Sequence, residues 1–433
     1  MRQRRVMAAV CAVVLALGMA ACGGSDDDGG DTASTESKLE GTGPITFVTG
    51  KDTSGNRKNQ VDAWNKDHPN EQARLIELPE QADQQRQQMV VNAQTKSDQY
   101  SVLNLDVVWT GEFAANGWIE QLPEDDFPLA DFLPATVETG KYFKKLYAIP
   151  LNSDGGLLYY RKDLLDSAGI TAPPKTWAEM KTACAAVLKL PAAKGASCYA
   201  GQFDKYEGLT VNFSEAVNSA GGSVVDEDGK PSVNTPEAKK GLQFLVDGFK
   251  SGEIPAKALT FKEEEGRRAF QAGELIFHRQ WPYIYAKANA TDGSSKVAGK
   301  FAVAPLPGDS GPGVSTLGGH NLAISKFTKN KKTALDFIKY MTSADVQKAD
   351  LQATSQAPTI AALYDDTALT TKFPYLPTLK ASIEGAKKRP EAVKYQEVST
   401  AIQGAAYDAI KGSKTPDEAL SGLQSSLEGL TKK

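Results

Sequence analysis

The order of short apolar runs and amphipathic stretches constrains this chain more than anything else in it. Ile45 to Thr49 reads as a strand, and residues from Asn56 to Asp67 suit a helix. Arg74 to Leu78 reads as a second strand, followed by a Gln-rich helix to about Thr95. Leu103 to Trp109 reads as a third strand. Strand, helix, strand, helix, strand predicts an α/β sheet with crossover helices. Thr176-Trp-Ala-Glu179 has the form of a capping box and predicts a helix running towards Leu190. Thr235-Pro236 predicts another start, with Gly252 as its stop. Helical stripes follow at Ala238, Leu242, Leu245 and Phe249, and at Ala334, Phe337, Ile338 and Met341. Two more stripes occur, one through Val398, Ile402, Ala405 and Ala409, the other through Leu420, Leu423, Leu427 and Leu430. Spacing of this kind marks core faces. Strands return at Lys300 to Ala304 and Gly319 to Ser325, an order that fits two lobes with crossings between them.

The N-terminus speaks to compartment. Arg2, Arg4 and Arg5 precede Val6 to Ala20, which is apolar except for Cys11 and Gly18. That run is short for a membrane span and reads as a secretory signal over residues 1–21. Met19-Ala20-Ala21-Cys22-Gly23 resembles the bacterial lipoprotein processing site, with Met19 where Leu is usual. The resemblance implies cleavage before Cys22 and acylation of its thiol; the alternative is plain secretion with cleavage after Ala21. Residues 22–43 carry little apolar surface and read as a disordered tether.

Roughly 390 residues follow, more than one typical core holds. The formal net charge is −4, which gives no pointer to nucleic acid. Of four cysteines, Cys184 and Cys198 remain beyond the N-terminal segment. In an exported chain a disulfide is the economical reading, and no His or further Cys lies near in sequence to suggest a metal pair.

Three histidines occur, His68, His278 and His320, and none pairs at metal spacing. No HExxH, phosphate loop or nucleophile elbow is present, and Gly155-Gly156 and Gly318-Gly319 lack a dinucleotide fingerprint. No cofactor is expected. The run Glu263–Glu265 reads as a solvated helix start.

Several stretches carry a resemblance. The segment from Leu146 to Leu165, with Leu-Asn-Ser-Asp-Gly-Gly at its centre, is similar to the lobe-crossing segment of extracellular solute-binding proteins of ATP-binding-cassette sugar importers. It is similar in particular to the trehalose/maltose-binding branch. Ile45–Asp52, Asp106 to Ala114, Gly273 to Phe277 with Trp281-Pro282, Leu317 to Lys326, and Lys388-Arg389-Pro390 match the same family in the same order. The resemblance implies a two-lobed periplasmic-binding-protein-like α/β fold with hinge strands between the lobes. Lobe one is then expected at 44–149 and 282–327, and lobe two at 153–277 and 331–433. Hinges are expected near Ala148–Asn152, Phe277–Trp281 and Lys326–Lys331.

The implied sugar-binding residues are Asp52, Arg86, Asp106, Asn152, Asp154, Trp281, Gly319, His320 and Arg389. The family often carries Trp where His320 stands. These residue types suit a sugar: carboxylates accept hydroxyl protons, Arg389 donates in a fork, and an indole stacks on a ring face. Tyr159 and Tyr160 read as strand core. The expected function is capture of an extracellular disaccharide or short oligosaccharide and delivery to a membrane permease. The body is expected to be a monomer, anchored outside the cell through Cys22, with no nucleic-acid partner and no enzymatic activity. The alternatives are a binding protein of the same fold for another neutral solute, or a secreted glycoside hydrolase.

Overall fold

Among the described residues eleven strands form the frame: β1 (Ile45–Thr49), β2 (Ala73–Glu77), β3 (Val102–Asp106), β4 (Lys141–Tyr142), β5 (Lys145–Leu146), β6 (Ala148–Asp154), β7 (Leu157–Tyr160), β8 (Ser197–Ala200), β9 (Leu275–Gln280), β10 (Ala302–Ala304) and β11 (Gly318–Ile324). The computed structural model describes residues 39–430. The signal segment, Cys22 and most of the tether lie outside those residues. Lys38–Lys433 is one compact unit.

Two main sheets result. The first has the order β2-β1-β3-β11-β6, and the second β10-β7-β9-β8. β1 runs parallel to β2 and β3, with the crossover helices Asn56–Asp67 and Ala82–Gln94 between them. That is the βαβ pattern legible in the sequence. β11 then inserts antiparallel between β3 and β6. Each sheet carries its own layer of helices, giving two α/β lobes.

Local chemistry sets most boundaries. Thr176 and Glu179 form the capping box, and the helix runs Trp177–Val187. Thr235 accepts the N–H of Ala238, and Gly252 ends that helix in the left-handed region at φ 79°. The third strand stops at Asp106, short of the expected Trp109. There the Asp106 carboxylate accepts the Val108 N–H and turns the chain. Cys184 and Cys198 are bridged, their Cα atoms 5.4 Å apart. The disulfide ties the helix to the edge strand β8. Tyr159 and Tyr160 are buried in β7, as core.

Several expected boundaries move. β6 runs on to Asp154, paired with Gly318, so the first crossing lies at Gly155-Gly156, beyond the expected Ala148–Asn152, and Ser153 and Asp154 belong to the first sheet and not to lobe two. Residues 39–43, expected in the tether, belong to the folded body: the Glu40 and Gly41 carbonyls accept the N–H groups of Lys331 and Lys332. They satisfy orphan donors at the start of helix Lys331–Met341. That helix belongs with the first sheet, against the expected assignment of 331–433 to lobe two. Its Phe337 packs on Phe47 of β1 and on Trp64, with ring centroids 5.4 Å apart in both cases. Conversely, β10 pairs with β7 in the second sheet, which removes residues around 302–304 from lobe one. The second crossing therefore lies between β10 and β11, not at Phe277–Trp281. The third falls beyond helix Ala344–Thr354, not at Lys326–Lys331, because that helix also packs on Asn56–Asp67.

Candidate functional site

The carboxyl ends of β1, β3 and β6 meet the amino end of β11, where loops leave one sheet for the other. Crevices at such strand ends are where open α/β sheets bind ligands. A cavity of about 250 Å³ lies here. Its walls include Asp52, Asp106, Asn152, Asp154, Trp281, Gly319, His320 and Arg389. Eight of the nine residues named from sequence thus come together, from segments up to 337 positions apart.

The exception is Arg86. Its guanidinium is buried against Glu112, with Nε donating to Oε2 at 2.8 Å, and it does not line the cavity. A loose sequence match placed it correctly in the following helix but on the wrong face.

Asp106 and Arg389 dominate the centre. Arg389 Nη2 donates to Asp106 Oδ1 at 2.6 Å, and Nη1 reaches Oδ2 at 3.3 Å. The same Nη1 donates to Glu207 Oε1 at 2.7 Å. Glu207 begins helix Glu207–Ser219, which flanks the second sheet, and it also accepts hydrogen bonds from Tyr395 and Ser399. One guanidinium therefore joins a strand end of the first sheet to a helix start of the second lobe. Burial opposes charge on Arg389, which is 3% exposed, but the two carboxylates outweigh it and hold its pKa well above the ordinary value. Its Nε is buried with no hydrogen-bond partner among the described residues.

Asp154 is set up differently. Asn152 Nδ2 donates to Oδ2 at 3.0 Å, while Oδ1 is buried with no partner among the described residues. Burial pushes the carboxyl up to about 7, against the pull of the Arg279 charge. Arg279 itself is committed elsewhere, bidentate to Glu215 at 2.6 Å for both bonds. A buried acceptor left in this state costs about 1–3 kcal/mol unless a donor meets it.

Arg279 also lies 3.7 Å over the indole of Trp281, fixing the ring against the cavity. Gly318 and Gly319 make room beside it. A Cβ at Gly318 would press on the indole at 2.9 Å, and Gly319 has φ 114°, where a Cβ would collide with the Asn152 carbonyl. His320 sits opposite Asp106 in the β11–β3 ladder, and burial lowers its pKa although Asp106 pulls the other way.

Asp52 lines the cavity with its oxygens spent. They accept from the Ser54 N–H and hydroxyl and from the Arg57 N–H. Burial alone would raise its pKa, but those bonds lower it. Sequence reading missed Glu207, Tyr206, Glu263 and Glu264, which also line the cavity. Glu263–Glu265 was expected to be a solvated helix start. It does start helix Glu263–Gln271, but Glu264 is buried, bound by Arg267 and Tyr283. Nothing in local spacing separates an N-terminal acid that faces solvent from one that faces a cleft. Among the described residues, no group of three metal-ligating side chains gathers.

A family model for bacterial extracellular solute-binding proteins matches residues 51–348. The chain belongs to that family. This solute-binding protein is 37% identical over 383 residues to a "Probable ABC transporter-binding protein" of Deinococcus radiodurans, covering 86% of this chain and 89% of the relative. Its fold matches maltose-bound MalE3 of T. maritima with a TM-score of 0.84 and 34% identity, over 89% of this chain and 99% of that one. It also matches a solute-binding protein of Agrobacterium vitis with bound D-mannitol, with a TM-score of 0.77 and 26% identity, over 89% and 97% of the two chains.

Proposed function

We propose that this solute-binding protein captures a neutral disaccharide or short oligosaccharide, of trehalose or maltose type, and delivers it to an ATP-binding-cassette import permease. The observation that carries the reading is the set of polar groups converging with Trp281 on one small cavity, with Asp154 Oδ1 short of a donor. Sugar hydroxyls supply such donors, and the indole suits a ring face. The maltose-bound relative at 34% identity supports the class.

Capture works by hinge closure. Arg389 already bonds Asp106 across the cavity, and a ligand that touches both sides favours the closed form. Asp106 and Glu207 share one guanidinium, an arrangement suited to fixed recognition, and in this reading the bound sugar is released unchanged. The proposed setting is extracytoplasmic, with a monomeric body held to the membrane through acylated Cys22. The mannitol-bound neighbour favours one second reading, a neutral polyol in the same cavity.

A thermal-shift panel tests this. Bound ligand stabilises by mass action, about 2.7 kcal/mol at a hundredfold excess over Kd. Trehalose or maltose is expected to raise Tm, while sugar phosphates and amino acids leave it unmoved. A response to mannitol alone selects the polyol reading, and a response to amino acids alone rejects both.

A further inference from the structure

A two-residue loop joins β4 to β5. Lys141 pairs with Leu146 and Tyr142 with Lys145, which leaves Phe143 and Lys144 as the turn. Both have positive φ, 45° and 62°. Hairpin turns of this form strongly prefer Asn-Gly or Asp-Gly. A bulky side chain is a genuine outlier in that region. Phe143 is also 82% exposed, more than any other large apolar side chain among the described residues. Backbone and solvation both disfavour phenylalanine here, and such a conflict between local preference and structure marks functional positions.

The surroundings say what for. Lys141, Lys144 and Lys145 ring the tip. Lys141 has Glu138 at 3.4 Å, but neither Lys144 nor Lys145 has a carboxylate partner among the described residues. The Tyr142 ring packs on Phe143 at 4.5 Å and on Tyr147 at 6.4 Å, and it rests beside Gly111 of helix Thr110–Ala115. The tip is braced from behind.

We propose that this hairpin contacts an anionic lipid surface, with Phe143 entering the headgroup boundary and the three lysines lying over it. The tip offers one exposed aromatic side chain and not a broad apolar face. At a lipid interface aromatic side chains sit at the headgroup level, and each lysine near an anionic surface adds about 1 kcal/mol of attraction. The unit Lys38–Lys433 carries only a small net negative charge, so the basic tip sets one orientation. The inference rests on the extracytoplasmic setting and is independent of the sugar cavity.

The test uses the compact unit Lys38–Lys433, which holds every described strand and helix. Co-flotation is measured with vesicles of phosphatidylcholine alone and of equimolar phosphatidylcholine and phosphatidylglycerol. The unit is expected to float with the anionic vesicles and to be released by high salt. F143N/K144G supplies the residues the turn prefers, so it is expected to melt at or above the wild-type Tm and to keep its sugar-induced thermal shift. Its partitioning is expected to fall about tenfold or more, as is that of K144Q/K145Q. Equal flotation with both vesicle types, no flotation with the anionic ones, or undiminished flotation of F143N/K144G overturns the proposal.

Discussion

At position 154 two demands oppose each other. A carboxylate 8% exposed, with one oxygen unpartnered, destabilises the folded chain, yet the same oxygen is poised for a hydroxyl donor. Its folded-state pKa of about 7 lies above its ordinary value of 3.8. Between those values the folded chain keeps a proton that the unfolded chain has released. The resulting stability is present at low pH and is lost as pH rises towards about 7. Asp154→Asn removes this dependence. Relative to wild type, the variant is expected to gain stability between about pH 5 and about pH 8, on the order of 2–4 kcal/mol at about 1.4 kcal/mol per pKa unit. Denaturant midpoints at the two pH values measure it, and a difference that does not change with pH contradicts the assignment. Arg389 and Asp106 were legible at this scale because the residues flanking them carry a family pattern. Arg86 was not, since a lone arginine in a helix has the same sequence signature whether it faces Glu112 or a cleft.

Among elements, sequence chemistry read best where it acts locally. A capping box, a proline at a helix start and a glycine stop depend on residues within four positions, and the structure places them as expected. Reading failed where a partner is remote. Helix Lys331–Met341 takes its cap from Glu40 and Gly41, nearly three hundred residues earlier, so its lobe was not visible from its own stripe. The disulfide belongs to this scale as well. It closes a loop of sequence separation 14 between a buried helix position and a buried strand position. Loops of that size stabilise by about 3 kcal/mol. Replacing both Cys184 and Cys198 by alanine is expected to lower unfolding free energy by about 2–4 kcal/mol in a urea titration. An unchanged midpoint rules out that stabilising role.

At the scale of the whole molecule, the two sheets were foreseeable from the run of strands and helices, but their membership was not. β10 is three residues long and pairs with β7 more than a hundred positions away. No periodicity reveals which sheet so short a strand joins. The consequence is functional. With β9 and β10 both in the second sheet, Trp281 is presented from the second lobe towards Asp106, Asn152 and Asp154 on the first. The cavity is therefore lined from both lobes, which meet at the crossing β6–β7. Calorimetric titration of a disaccharide into the wild-type chain, Asp154→Ala and Trp281→Ala tests this most directly. One sugar is expected to bind per wild-type chain, with affinity at least about tenfold weaker in each variant, a loss of about 1.4 kcal/mol or more. Binding heat that is absent for every neutral sugar, or a Kd that neither substitution moves, contradicts it.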